Sequence, residues 1–341
     1  MIQHRISRLS PRSAVLVLLA ALSLTSLAAC GSTASGGTGN LRHLTLGLTY
    51  IPDVQFAPFY VAESLGYYKA AGLDVTLRHH SFTEGEFDAI AAGHEDAVFA
   101  GGDETLQARS HNIPLTYVAT VYTEYPVTLI VPADSSIQTL ADLRGHSVGI
   151  PGFYGATYIG LLSLLQGAGL SKSDVNIQPI GFTQVSALLG HKVDAVMGYI
   201  NNEPVQLQKA GFAIRTFPVT QPLISNGLAA LESELSAHPN DIKALVKGTM
   251  EGVQYVLAHP DKAVEISKQY VPGLNDPAKV QSALNELMAT LPLWQVASGQ
   301  QPGYSDPAAW QTMAAFLQSQ GQLSGAVDVA KAYSNAYLPA A

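Results

Sequence analysis

The densest group of hydrogen-bonding side chains in the sequence is the segment GYINNEP, residues 198–204. Tyr199, Asn201, Asn202 and Glu203 stand almost side by side there. Amides both donate and accept hydrogen bonds, whereas an ionised carboxylate only accepts them. Such a set can satisfy a heterocycle that carries ring N–H or amino groups. The same residues are also typical of a helix N-cap, so a structural role stays open.

An aromatic turn is the second candidate. In YIPDVQFAPFYVA (50–62), Tyr50 and Phe56 flank Asp53, and two prolines shape the segment. A turn of this composition is a surface feature, so we expect Tyr50 or Phe56 to contact a ligand, with Asp53 nearby. Burial in the core is the alternative for these rings, and it is the better expectation for Phe59 or Tyr60, at helical spacing.

A third candidate is PGFYGATY, residues 151–158. Its glycines free the backbone at a predicted helix start, where open amides suit an anion or a carbonyl oxygen. The segment has no lysine or arginine, and Tyr154 and Tyr158 offer flat faces. A neutral ring therefore fits this segment better than a strong anion does.

Catalytic motifs are missing. The ten histidines form no H-E-x-x-H pair, and no G-x-S-x-G elbow, Walker loop or G-x-G-x-x-G fingerprint is present. The single cysteine lies at position 30. We therefore predict a protein that is not an enzyme and that has no metal or cofactor.

The strands and helices that must position these candidates are predicted in the same order twice along the chain. Strand, helix, strand, helix, strand is predicted from 44 to 101 and again from 146 to 199, which implies parallel pairing with crossover helices. AAGL and GHEDAV in the first copy resemble GAGL and GHKVDAV in the second, at an offset of 97 residues. Two α/β lobes of one kind are expected.

Ligand groups gather beyond the carboxyl ends of parallel strands. The turns predicted there are 49–57, 81–86, 100–104, 151–156 and 199–204. In the first lobe, GGDE (101–104) occupies the place that GYINNEP has in the second. Gly101 lies there, and Asp103 and Glu104 could face the cleft or cap a helix. We expect these turns to surround one cleft.

Two crossings join the predicted lobes, one formed by the extended run at 127–131 and one near 217–228. Residues 42–131 and 225–341 are assigned to the first lobe, and 132–224 to the second. Helices after residue 238 are expected to pack on the first lobe. The fold class predicted is α/β, with a mostly parallel sheet flanked by helices in each lobe and a hinge of two crossings.

The first 29 residues are predicted to be a signal peptide. Three arginines precede a long apolar run that ends in LAAC, and Cys30 stands where a bacterial lipoprotein is acylated. A plain signal peptide with an incidental cysteine is the alternative. Residues 30–41 form a Gly/Ser/Thr-rich tether. The expected location is the extracytoplasmic face of the cell membrane, through a lipid anchor.

The charge of the chain is acidic. Its formal value of −8 becomes −11 without the three arginines of residues 1–29, a segment that includes no acid. This balance, with no cluster of lysine and arginine, argues against a nucleic-acid partner.

YIPDVQFAPFYVAESLGYYKAAGLDV, the later G-H-E-D-A and the turn Asn201–Glu203 together resemble the solute-binding lipoproteins of ABC importers related to the thiamine-pyrimidine synthase. The resemblance covers essentially the whole mature chain. It implies a type II-like periplasmic-binding-protein fold, expected to be monomeric, that delivers one small molecule to a permease and its ATPase. In the pyrimidine binders of this group, the turn matching Asn201 and Glu203 meets the amino edge of the ring.

The resemblance leaves several ligands open. The first turn starts with Tyr50 where many pyrimidine binders have tryptophan, and together with Phe56, Tyr154, Tyr158 and Tyr199 this favours the wider stacking surface of riboflavin. A formyl-aminopyrimidine thiamine precursor is the alternative, and a sulfonate such as taurine is a weaker one. The related synthase uses pyridoxal phosphate, iron and a cysteine-rich motif, and the sole cysteine here argues against such an enzyme. The duplicated lobes argue against an adhesive protein.

Overall fold

A computed structural model of the chain describes residues 41–80, 84 and 87–339. The predicted signal peptide, Cys30 and almost all of the tether lie outside these residues, as does most of the predicted turn at 81–86. No helix within the described part is long and apolar enough to cross a membrane.

Ten strands are described, and they form two sheets of five. They are β1 (Arg42–Leu48), β2 (Leu73–His79), β3 (Ala97–Gly101), β4 (Leu115–Thr120), β5 (Val127–Pro132), β6 (Ser147–Ile150), β7 (Asn176–Pro179), β8 (Ala195–Tyr199), β9 (Ile214–Pro218) and β10 (Asn226–Leu231).

The two sheets have the same topology. The first has the order β2-β1-β3-β10-β4 and the second β7-β6-β8-β5-β9. In each, one strand runs antiparallel to both of its neighbours, β10 in the first and β5 in the second, while the other four share one direction. Both are thus mixed sheets in which most strands are parallel in direction, and the two-lobed α/β fold expected from the sequence is confirmed.

The antiparallel strand of each sheet follows, along the chain, a strand of the other sheet. β5 follows β4 along the chain but pairs with β8 and β9, and β10 returns from β9 to pair with β3 and β4. The connections between the sheets are therefore residues 121–126 and 219–225. The run 127–131 is predicted to be a crossing and part of the first lobe, whereas the hydrogen bonds of β5 place it inside the second sheet.

The related segments G-H-E-D-A (93–97) and G-H-K-V-D-A (190–195) have the same structural role in the two copies. Asp96 accepts a hydrogen bond from the Thr45 backbone N–H at 2.7 Å, and Asp194 accepts one from the Ser147 N–H at the same distance. Each aspartate thus joins the first strand of its lobe to the residue that precedes the third strand. The repeat in the sequence therefore marks equivalent positions in the two sheets.

Thirteen α-helices are described around the sheets. They are α1 (Ala57–Ser64), α2 (Tyr67–Ala70), α3 (Asp88–Ala91), α4 (Gly102–Ser110), α5 (Gly155–Gly167), α6 (Gln184–Leu189), α7 (Glu203–Lys209), α8 (Glu232–Ala237), α9 (Pro239–Ala258), α10 (Pro260–Ser267), α11 (Pro277–Trp294), α12 (Pro307–Ser319) and α13 (Val329–Ala332).

The helix that follows the aromatic turn is shorter than the sequence predicts. The run APFYVAESLGYYKAAG forms α1 and α2 because Gly66 takes a left-handed conformation, with φ of 76°, between them. α1 begins with Pro58 in its first turn, as predicted. Its aromatic residues Phe59 and Tyr60 are 1% and 0% exposed, so both belong to the core of the first lobe.

The C-terminal helices divide between two cores. α9 and α10 pack on α1, and α11 packs on the short turn Val54–Phe56, so these three helices cover the first lobe as predicted. α12 instead packs on α4, and its buried Trp310, Met313 and Leu317 join an apolar cluster that also contains the core of the second sheet. Residues after 307 therefore contact more than the first lobe.

Candidate ligand-binding site

A cleft lies where the carboxyl ends of the two sets of strands face each other. The cavity in it measures about 100 Å³ and opens to solvent. Both lobes and the first crossing contribute to it, and Asn226 follows the second crossing. Its lining residues are Thr49, Tyr50, Gln55, Phe56, Phe99, Glu104, Tyr122, Pro151, Tyr154, Gly155, Ala156, Thr157, Phe182, Gln184, Tyr199, Asn202, Glu203 and Asn226.

The wall from the first lobe is aromatic. Phe56, 2% exposed, is held edge-on to Phe99 with ring centroids 6.0 Å apart and to the His79 ring at 5.2 Å. Tyr50 follows β1 and reaches across the cleft, where its ring meets that of Phe182 of the second lobe edge-on at 4.6 Å. Burial and the carboxylates around it raise the pKa of Tyr50, so its hydroxyl stays protonated.

The wall from the second lobe combines a ring with a helix start. Tyr154 is the N-cap residue of α5 and remains partly exposed at the cleft. The first three residues of α5, Gly155, Ala156 and Thr157, line the cleft behind it. Backbone N–H groups in the first turn of a helix have no partner within the helix, so this end of α5 can donate hydrogen bonds.

Two buried glutamates face the cleft from equivalent positions. The Oε2 atom of Glu203, the first residue of α7, accepts a hydrogen bond from the Tyr199 N–H at 2.8 Å. Oε2 of Glu104 accepts one from the Gly101 N–H. Glu203 is 5% exposed, and burial raises its pKa to about 7, with the charge of Asp53 adding to the rise. Each carboxylate is thus anchored through one oxygen.

The structure brings six of the residues predicted from the sequence together in this cleft. They come from the aromatic turn, the start of α5 and the turn after β8. These are Tyr50, Phe56, Tyr154, Tyr199, Asn202 and Glu203.

Asp53 and Asn201, both expected at the ligand, point elsewhere. The Asp53 carboxylate accepts a hydrogen bond from the Gln55 N–H at 2.9 Å, which caps the Val54–Phe56 turn, and it lines an adjoining groove with Glu286. The Asn201 amide donates to the Thr290 hydroxyl of α11 at 2.9 Å, and the residue is 1% exposed. Asn201 therefore joins the second lobe to a helix packed on the first.

Three further predicted residues lie behind the lining. Asp103 is fully buried, and neither of its carboxylate oxygens has a hydrogen-bond partner. Gly101 lies directly against this side chain. Tyr158, 6% exposed, packs in the core edge-on to Phe153 at 5.5 Å because it sits one helical turn inside α5.

Several lining residues were not predicted from the sequence. Phe182 and Gln184 follow β7, the strand equivalent to β2, and shifting the predicted turn 81–86 by the repeat offset of 97 leads to Phe182. Tyr122 and Asn226 lie in or next to the two crossings, and no local pattern marks them.

The polar character of the cleft is acidic. Among the described residues that line it, none is lysine, arginine or histidine, while two are glutamates. Seven aromatic rings surround these carboxylates. In the described part of the chain, no group of three or more His, Cys, Asp or Glu side chains is placed to hold a metal ion. The cleft can stack a flat ring and accept hydrogen bonds from it, whereas an anion would meet uncompensated negative charge.

Two α/β lobes of matching topology, joined by two crossings around such a cleft, define the two-lobed fold of solute-binding proteins. The alkanesulfonate-binding protein SsuA from Xanthomonas axonopodis pv. citri has this fold. It matches 86% of this chain and 98% of its own, with a TM-score of 0.69 and 18% sequence identity.

The chain belongs to the NMT1/THI5-like family, whose model matches residues 53–263. The riboflavin-binding protein RibY of Chloroflexus aurantiacus is 34% identical over 307 residues, which cover 88% of this chain and 87% of that protein. A formylaminopyrimidine-binding protein of Halalkalibacterium halodurans is 25% identical over 325 residues, or 92% of this chain and 96% of its own.

Proposed function

We propose that this chain is the extracytoplasmic solute-binding component of an ABC importer and that its ligand is riboflavin. The observation that carries the proposal is the composition of the cleft, in which seven aromatic rings surround two buried glutamates and no cation is present among the described lining residues. A flat, uncharged heterocycle with N–H groups satisfies such a site. The names of the two relatives, one a riboflavin binder and the other a formylaminopyrimidine binder, support the same class of ligand.

The breadth of the aromatic lining favours a fused ring system over a single pyrimidine. Tyr50 and Phe182 meet across one part of the cleft, Tyr154 stands at the start of α5, and Phe99 and Tyr122 are in edge contact at 5.8 Å. Because the rings are spread over several elements, a three-ring flavin can contact more of them at once. The absence of lysine and arginine from the described lining disfavours a sulfonate.

The mechanism follows from two lobes joined by two crossings. A ligand that contacts both lobes binds the closed arrangement more tightly than an open one, so it shifts the population toward closure. Stacking on the rings would supply apolar burial, and Glu104, Glu203 and Asn202 would supply hydrogen bonds to the ring edge. The permease would then recognise the closed protein.

Titration of the purified protein separates the candidate ligands. Trp294 lies edge-on to Tyr122, with centroids 6.1 Å apart, so tryptophan emission should report a ligand in the cleft. We expect strong quenching by riboflavin and none by formyl-aminomethyl-pyrimidine or taurine. A response to the pyrimidine alone would replace the ligand assignment, and a response to taurine alone would reject the vitamin class.

We further propose that Cys30 carries a lipid anchor and that the folded part is a monomer held at the outer face of the cell membrane. The position of Cys30 after the apolar segment and LAA supports the anchor. In a bacterial host, the wild-type chain should partition into the detergent phase on phase separation, and Cys30→Ala should move it to the aqueous phase. Equal partition of the two would remove the anchor.

A further inference from the structure

The hinge side of the cleft contains two residues joined through their backbones, one with a side-chain hydrogen-bond donor and the other with a side-chain acceptor. Tyr122 lies in the first crossing, two residues after β4, and Asn226 is the first residue of β10, directly after the second crossing. The Tyr122 N–H donates to the Asn226 carbonyl oxygen at 2.9 Å, so the two residues are neighbours through their backbones. Both side chains line the cleft, and they are only 2% and 6% exposed.

Each side chain has one polar atom that the protein does not satisfy, although the Asn226 side chain also hydrogen-bonds to that of Tyr199. The Tyr122 hydroxyl and Asn226 Oδ1 are buried without a hydrogen-bond partner. Buried polar atoms in folded proteins nearly always have a partner, because leaving one unpaired costs free energy comparable to a lost hydrogen bond. Tyr117, close by, shows the ordinary case, with its hydroxyl donating to the Ser225 carbonyl oxygen at 3.2 Å.

The Tyr122 ring is held firmly, so its hydroxyl is fixed in position. Trp294 and Phe99 both contact it edge-on, at centroid distances of 6.1 Å and 5.8 Å. Burial raises the pKa of Tyr122, which keeps the hydroxyl protonated and able to donate. The carbonyl oxygen of the Asn226 amide can only accept.

We propose that Tyr122 and Asn226 recognise a lactam or imide edge of the bound heterocycle, with the ring C=O accepting from the Tyr122 hydroxyl and the adjacent ring N–H donating to Asn226 Oδ1. The inference rests on the proposed function and specifies the ligand chemistry of the same cleft. A donor and an acceptor on two residues that are backbone neighbours call for an acceptor and a donor on the same edge of the ligand. The pyrimidinedione edge of a flavin has this arrangement, whereas a 4-aminopyrimidine has no ring carbonyl beside an N–H.

The first test compares two ligands on the unmodified protein. In 3-methylriboflavin, a methyl group replaces the hydrogen of the imide N–H, while the stacking surface and the side chain are unchanged. We expect the wild-type protein to bind riboflavin roughly tenfold or more tightly than 3-methylriboflavin, as measured by calorimetric titration. Equal affinity would overturn the inference and leave the proposed function standing, whereas no binding of either flavin would overturn both.

Variants of Tyr122 and Asn226 then test whether these two residues cause the preference for riboflavin over 3-methylriboflavin. Asn226→Ala should bring the affinities for the two flavins to within about threefold of each other, because the acceptor that reads the N–H is gone. Tyr122→Phe should lower the affinity for both flavins by a similar factor, since both retain the carbonyl. A preference for riboflavin that survives in Asn226→Ala would overturn the assignment.

Tyr68→Phe is the matched control. Tyr68 is 1% exposed in the core of the first lobe, and its hydroxyl pairs with Thr249 at 2.9 Å, away from the cleft. This variant should retain wild-type affinity and the wild-type preference. The wild-type comparison of the two ligands stands even where a variant is too unstable to titrate.

Discussion

The turns that follow β3 and β8 share one hydrogen bond and differ in their other polar residues. In both, a glutamate that opens or enters the following helix accepts a hydrogen bond from a backbone N–H at the strand end, Glu104 from Gly101 and Glu203 from Tyr199. The remaining polar residues differ. Asp103 of the first turn is buried without a partner, whereas Asn201 of the second binds Thr290 of α11.

The glycines beside these turns also differ in the carboxylate that each one faces. A Cβ at Gly198 would lie 2.7 Å from Oε2 of Glu203, whereas a Cβ at Gly101 would lie 2.2 Å from Oδ1 of Asp103. Each glycine thus makes room for a carboxylate, but only the one at Gly198 belongs to a cleft residue. The two positions are not equivalent, because Gly101 ends β3 whereas Gly198 lies one residue before the end of β8.

The largest effect we expect is on stability against pH. Burial raises the pKa of Glu203 to about 7, so between about pH 4.5 and 7 the folded state holds a proton that the unfolded state has lost. Stability therefore falls as pH rises through this window, by about 1.4 kcal/mol per pH unit at most, and levels off above it. Burial, together with Glu104, raises the pKa of Asp103 in the same direction.

Glu203→Gln and Asp103→Asn should each flatten this fall. Thermal unfolding of the ligand-free protein between pH 5 and 8 measures it, with the variants close to the wild type at pH 5 and more stable than it at pH 8. A slope unchanged in both variants would mean that neither carboxyl is protonated in the folded protein at neutral pH.

The second-largest effect we expect is on the affinity for riboflavin, which should differ between variants of the two turns. Glu203→Ala should weaken riboflavin binding roughly tenfold or more, because a desolvated ring edge loses its acceptor. Asp103→Asn should change affinity less than about twofold, since Asp103 does not line the cleft and keeps its shape as asparagine. The same titration at pH 5, where Glu203 and Asp103 are protonated in the folded protein, controls for the charge that each substitution removes. A large loss in Asp103→Asn would place that residue at the ligand.

Asn201 offers a sharper contrast because its partner is known. Its hydrogen bond to Thr290 joins the lobes, so losing it should favour the open form and weaken binding about threefold to fivefold. Thr290→Val should have the same effect as Asn201→Ala, and the double variant should lose no more than either alone. If only Asn201→Ala weakens binding, Asn201 contacts the ligand directly.

Much of the fold could be predicted from local patterns. Alternating strand and helix signals, the 97-residue repeat and the carboxyl-end rule lead to two matching lobes and to a cleft that contains Tyr50, Phe56 and Glu203. The pairing of β5 could not be predicted in this way. All six of its residues are buried, and an apolar run of this kind does not show which sheet it joins.

The site residues that the sequence missed are those fixed by tertiary contacts. Tyr122 and Asn226 meet because two crossings, about a hundred residues apart, run side by side. Conversely, a polar residue at a strand end has several directions to face, and Asp53 uses its carboxylate to cap a turn. Residue type and spacing predict the edge of the sheet on which a side chain lies, but the neighbours that pack there decide where it points.

The smallest effect concerns two tyrosines four residues apart at the start of α5. Tyr154 faces the cleft, whereas Tyr158 is buried in the core of the second lobe against Phe153. Tyr158→Phe keeps the ring and removes only its hydroxyl, so affinity for riboflavin should stay within about twofold of the wild type. Calorimetric titration, after a thermal melt has shown that the variant is folded, measures this. A fivefold loss would mean that the hydroxyl reaches the ligand when the lobes move, because the ring itself would still fill its place in the core.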